Sequence, residues 1–109
     1  MSKSKAYYLG DIEAQEVFPG CEGRFIHSEK MSFAYWEITI GTELAEKSLP
    51  NEQVISMVSG RMDFVVDGEE IDFHEGMVLV IPPEVKYSAK AISKCKILDV
   101  SYPRRVDIK

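Results

Sequence analysis

Strand-type residues in this chain come in short runs, and almost every run is cut off by a turn signal. Residues 31–40 (MSFAYWEITI) show the pattern best. Ala34, Trp36, Ile38 and Ile40 share one parity, and Phe33, Tyr35, Glu37 and Thr39 share the other. A period of two with this β-branched and aromatic content marks a strand whose faces meet different surroundings. Residues 53–58 and 61–66 are joined at Ser59-Gly60, and Asp67-Gly68 then sets up a hairpin whose return strand is 70–73. His74-Glu75-Gly76 makes a further turn. The continuous apolar run 77–81, stopped by Pro82-Pro83, predicts a strand buried on both faces. Residues 85–89 and 96–102 follow as strands, and weaker candidates precede them at 7–9, 15–18 and 24–28. No segment keeps a helical period for ten residues. So many strands in succession within 109 residues close their edges best by wrapping two antiparallel sheets into a barrel.

The length suits one domain, residues 1–109, with 1–5 (MSKSK) expected as a frayed end. Hydrophobic residues make up 45% of the chain, enough for a core without disulfide staples. Cys21 and Cys95 stand far apart in no metal-type spacing and are expected as buried, reduced thiols. A net charge of −5 argues against a nucleic-acid partner. No apolar run follows Lys3 and Lys5, and none approaches the ~20 residues a membrane span needs. The expected location is the cytoplasm.

Two segments carry a family pattern. In 41–60 (GTELAEKSLPNEQVISMVSG), Gly41, Lys47, Leu49, Gln53 and Gly60 fall on the spacing Gly, five residues, His-x-His, three or four residues, Glu or Gln, six residues, Gly. Gly76, Pro82, Glu84, Tyr87 and Ala91 fall on Gly, five residues, Pro-x-Gly, two residues, His, three residues, Asn. These are the two motifs of the cupins, and the chain resembles a small single-domain cupin. The flanks CEGRFIHSEKMSFAYWEI and CKILDVSYPRR look like those of the pectin-degradation protein family, whose members linearise unsaturated uronates. The resemblance implies a jelly-roll barrel, a double-stranded antiparallel β-helix, that commonly forms homodimers. Phe33 and Tyr35 are candidates for the dimer interface.

The resemblance also implies a divalent metal held by three imidazoles and a Glu or Gln, and here the chain departs from its pattern. The ligand positions are Lys47, Leu49, Gln53 and Tyr87, and only Gln53 keeps a side chain the family uses. Leu49 has no lone pair, and Lys47 would have to lose a proton beside a cation. The expectation is a cupin without a metal cofactor. Ile55 and Met57 share the parity of Gln53 and, with Leu49, Met62 and Phe64, give an apolar wall. Lys47, Gln53, Tyr87, Asp99, Ser101 and Arg105 are the candidate polar groups. In the pectin-degradation cupins an Asp, a Phe and an Arg near the chain end act on substrate. Asp99, Ser101 and Arg105 occupy those positions.

Lys47 and Arg105 can each take a carboxylate, and Tyr87 can serve as a general acid, so Tyr87, Asp99 and Arg105 are the catalytic candidates. Equally, Asp99 and Arg105 can be a structural ion pair, and Tyr87 a core ring. His74 is expected on the surface and His27 at the pocket edge. Glu37 needs a cationic partner if it faces inward and none if it faces out. Three readings follow. They are a metal-free module binding a small carboxylate or sugar-acid-like ligand, an enzyme of uronate or keto-acid metabolism, and a structural or partner-binding homodimer with a filled pocket.

Overall fold

The computed structural model describes residues 3–109. Part of the expected frayed end, residues 1–2, lies outside the described residues; residues 3–8 are exposed and without regular structure. Ten strands follow a single 3₁₀ turn at Leu9–Asp11: β1 (Gln15–Phe18), β2 (Cys21–His27), β3 (Ser32–Ile38), β4 (Glu43–Lys47), β5 (Glu52–Ser59), β6 (Arg61–Val66), β7 (Glu69–His74), β8 (Val78–Ile81), β9 (Tyr87–Ala91) and β10 (Cys95–Tyr102). The expected strand at 7–9 is therefore absent, its last residue opening the 3₁₀ turn. Among the described residues, no helix is long and apolar enough to cross a membrane.

Two antiparallel sheets make the all-β jelly roll the sequence predicts. One has the order β1-β2-β3-β10-β5-β8 and the other β4-β9-β6-β7. Alternation along each strand sends one set of side chains between the sheets. From the six-stranded sheet come Ala34 and Ile38 of β3, Gln53, Ile55 and Met57 of β5, and Ile97 and Asp99 of β10, all buried. From the four-stranded sheet come Met62 and Phe64 of β6, Phe73 of β7, and Tyr87 and Ala89 of β9. Phe64 meets Phe73 edge-on at 5.3 Å between ring centres, the geometry the ring quadrupoles favour. Cys21 and Cys95 are free, buried thiols placed on either side of Ile38, across two strand spacings.

Two corrections concern faces. Residues 77–81 do not form a strand buried on both sides. β8 lies at the edge of its sheet, where Ile81 is buried while Val78 and Val80 are 60% and 53% exposed. A continuous apolar run carries no period, so burial on two faces and exposure of one look alike in the sequence. Glu37 shares the outer face with Phe33 and Tyr35, directly across from Lys96. It therefore needs no inward cation.

The chain changes sheet between β5 and β6 at Gly60. Its φ is +102°, and an added Cβ would lie 2.3 Å from the Lys94 carbonyl oxygen and 2.9 Å from the Cys95 Cα. Both obstacles are backbone, so neither can swing away. Gly60→Ala is expected to cost at least about 2 kcal/mol, from the unfavourable φ and the clash together. The measurement is the urea midpoint at unchanged m-value.

Candidate functional site

A cavity of about 90 Å³ opens between the sheets at the β1 and β4 end. Its walls are apolar, with Phe18, Ile38, Leu44, Ile55, Phe64 and Ile97 among them. A space this size on a water-sized measure holds several waters or a small organic molecule. The filled pocket was one of three alternatives in the sequence, and side chains do not close this space.

The polar side of the cavity is built on β10 and on the tail that follows it. Asp99 is 5% exposed, and every neighbour of its carboxylate donates to it. The Trp36 indole N–H reaches Oδ2 at 3.2 Å and Arg105 Nη1 reaches it at 3.1 Å. Gln53 Nε2 lies 3.4 Å from both oxygens, and Ser101 Oγ 3.5 Å from Oδ1. Burial pushes the Asp99 carboxyl above the ordinary carboxylate range, against the pull of Arg105, Trp36 and Gln53.

Arg105 is also buried, and a second carboxylate grips it. Its Nε and Nη2 donate to the two oxygens of Asp107 at 2.9 and 2.7 Å, a bidentate pair. Its backbone N–H donates to Ser32 Oγ at 2.9 Å. Ile108 follows and packs with Phe25, Ala34 and Trp36. The tail is therefore part of the cavity wall. Asp99 and Arg105 form the ion pair that was one of the two sequence readings.

Lys47 ends β4 directly across from Tyr87, which begins β9. Lys47 as a whole residue is exposed, yet its ammonium stands 5.9 Å from the centre of the buried Tyr87 ring, at the cavity mouth. Desolvation there, and then the charge of Arg105, lower its pKa from the ordinary lysine value. Burial and the charge of Asp99 push the Tyr87 phenol up to about 12, against a hydrogen bond with the Gln53 amide. A phenol this weak is a poor general acid near neutral pH.

Of the residues expected to line the pocket, Lys47, Gln53, Ile55, Tyr87, Asp99 and Arg105 do so. Leu49 and Met57 do not. Leu49 sits in the loop between β4 and β5, where its carbonyl oxygen accepts the Glu84 N–H at 2.7 Å. Met57 is buried one pleat further along β5, in the solid core. Met62 lies in that core as well, away from the cavity. The sequence reading missed Trp36 and Asp107. Trp36 was read as sharing a parity with Ala34, Ile38 and Ile40 but given no role. Asp107 carries a recognisable signal, the Arg-x-Asp spacing in the tail.

His74 is exposed, as expected. His27 is not on the cavity. Its Nδ1 lies 2.7 Å from Ser32 Oγ, and burial, then Arg104 and Arg105, lower its pKa. Glu84 stands where the family motif has glycine, and its φ of +66° keeps the left-handed conformation that glycine would supply.

The donor set does not fit a divalent transition metal. There is no imidazole on the cavity, and both carboxylates are already paired with Arg105. Burial pushes the Cys21 thiol up to about 11, so this donor too is held in its protonated form. Among the described residues, no three His, Cys, Asp or Glu side chains come together as a metal-binding group.

The buried pair predicts an asymmetry. Asp99→Ala strands Arg105 and leaves the Trp36 and Gln53 donors without their acceptor, and is expected to cost about 3–5 kcal/mol. Asp107→Ala, at a side chain 41% exposed, is expected to cost about 1 kcal/mol or less. Urea denaturation of the two variants checks the order.

Comparison with known proteins agrees with this geometry. A protein of Streptomyces coelicolor, itself uncharacterised, is 28% identical over 91 residues, spanning 83% of this chain and 87% of its own length. Two solved structures share the fold. KdgF from a Halomonas species has a TM-score of 0.89 at 20% identity, with 95% of this chain and 97% of that one covered. An RmlC-like cupin from Shewanella frigidimarina has a TM-score of 0.88 at 21% identity, with 98% of each chain covered. The cupin domain model matches residues 34–101, from β3 to the end of the cavity-lining part of β10. The chain belongs to the cupin family.

Proposed function

We propose that this cupin binds a small organic acid in its cavity, without a metal, with the carboxylate held by Lys47. One observation carries the reading. Of the two cations on the cavity, Arg105 is committed to Asp99 and Asp107, whereas Lys47 makes no ion pair among the described residues. A cation at the mouth of an apolar-walled space is the arrangement that receives an anion with a hydrocarbon body. This revises the sequence expectation that Arg105 shares in binding the carboxylate. The likeness to pectin-degradation cupins favours the same ligand class, sugar acids included.

A second observation supports homodimerisation. The outer face of the six-stranded sheet carries an unbroken apolar row across five strands, Ile26, Phe33, Val100, Val54 and Val80, matched in register. The next row adds Tyr35, Leu98 and Val78. Strand spacing makes this band roughly 20 Å wide, and with its rim it approaches the ~800 Å² per partner of a standard interface. Across the same face, Arg24 and Lys96 stand among Glu22, Glu37 and Glu52. The two cations offset most of that charge, so two copies stacked there meet less repulsion than the −5 net charge implies elsewhere. A two-fold axis through this face is the simplest assembly.

In titration calorimetry against carboxylic acids of three to six carbons, Lys47→Met is expected to weaken binding about tenfold or more, the worth of one charge-assisted hydrogen bond. Because the Lys47 pKa is lowered, wild-type affinity should fall with rising pH before the ordinary lysine range is reached. Added divalent metals should leave the melting temperature unchanged, and a stoichiometric metal in purified protein would sink this reading. Val80→Glu, at an exposed position, is expected to leave the melt intact and to convert a dimer into a monomer by light scattering.

A further inference from the structure

The polar side chains deep in the cavity are paired with one another. The Trp36 indole and the Gln53 amide both donate to Asp99, at 3.2 and 3.4 Å. Arg105 is divided between Asp99 and Asp107, and the Tyr87 hydroxyl meets the Gln53 amide. Cys21 adds only a thiol, a weak donor. The rest of the wall, with Phe18, Ile38, Leu44, Ile55, Phe64 and Ile97, has no hydrogen-bonding side chain to offer. The Lys47 ammonium at the mouth is the charged group outside these pairs. Size is a second constraint. An apolar cavity of about 150 Å³ holds a benzene molecule, so one of about 90 Å³ holds a body of roughly four carbons, with a charged end left at the mouth.

We infer that the cavity takes a short-chain monocarboxylic acid with an unsubstituted hydrocarbon body, its carboxylate at Lys47 and its alkyl end against the apolar wall. This rests on the organic-acid reading above and narrows it. It sets sugar acids, which the family likeness admits, outside the class. A hydroxyl carried into the cavity gives up water and meets donors and acceptors that are already engaged. Each one is expected to weaken binding about tenfold to a hundredfold, the discrimination an apolar pocket makes against an added hydroxyl. The second carboxylate of a diacid would lie on apolar wall or face Asp99 and Asp107, which repel it. A phenyl ring overfills the space. A saturated chain of the right length meets the wall with no polar group left over.

The test is calorimetry of the full chain with straight and branched saturated monocarboxylic acids of increasing length. The five-carbon acid is then compared with its 2-hydroxy, 3-hydroxy and dicarboxylic counterparts, with a hexuronic acid and with benzoate. Affinity should rise with length to a maximum at about five carbons, one carboxyl carbon beyond the body the space holds. It should fall about tenfold or more for the hydroxylated, dicarboxylic and uronic acids. Leu44→Ala removes part of the wall at a half-buried residue and should move the maximum to longer acids. Val17→Ala, at an exposed residue of the same wall, should move it in the same direction if Leu44→Ala does not fold, as the thermal melt reports. Equal or tighter binding of a hydroxylated, dicarboxylic or uronic acid, a preference for benzoate, or a maximum that the folded variants do not move would overturn the inference and leave the organic-acid reading standing. Absence of binding by every acid would overturn both.

Discussion

The buried pair between Asp99 and Arg105 holds this structure together at its functional end. Asp99 belongs to the central strand β10 and Arg105 to the tail beyond it. Their contact folds the tail back over the mouth of the barrel. Taking both charges out of water is expensive, and the hydrogen bonds around the pair offset that cost. Trp36, Gln53 and Ser101 complete the shell of Asp99, and Asp107 completes that of Arg105. Ile108 then docks on Phe25, Ala34 and Trp36. Cavity, tail and ion pair exist together.

The same saturation shapes the chemistry. A guanidinium gripped by two carboxylates has little left for a third anion. Of the two cations on the cavity, the Lys47 ammonium is the one outside these ion pairs. The Gln53 amide donates to Asp99, so the buried pair also orients a residue of the cavity wall. The fold keeps the family's barrel while the positions that usually carry imidazoles hold an amine, an aliphatic side chain in a loop and a phenol. A barrel with an apolar wall tolerates that exchange, because packing between the sheets contributes stability that does not depend on those side chains.

Much of the fold was legible along the chain. Alternation in 31–40 put Ala34, Trp36, Ile38 and Ile40 on one face, which the structure turns inward at Ala34 and Ile38 and leaves exposed at Ile40. Asp67-Gly68 marked its hairpin, and both residues take positive φ. The errors arose where the local signal is silent. An apolar run such as 77–81 does not say whether its second face meets protein or solvent. Leu49 was counted toward the wall by motif spacing, but spacing says nothing about where a loop carbonyl finds its donor. Asp107 lies outside both motifs, and its role depends on the tail turning back.

The sequence alone determined the strand periodicity, the turns and the loss of imidazoles, because each is a property of neighbours along the chain. Tertiary structure decided which cation is spent and which is available, since that turns on carboxylates brought together from β10 and the tail. It also decided that valines far apart in sequence align into one outer face. These are contacts between distant segments, and no local pattern encodes them.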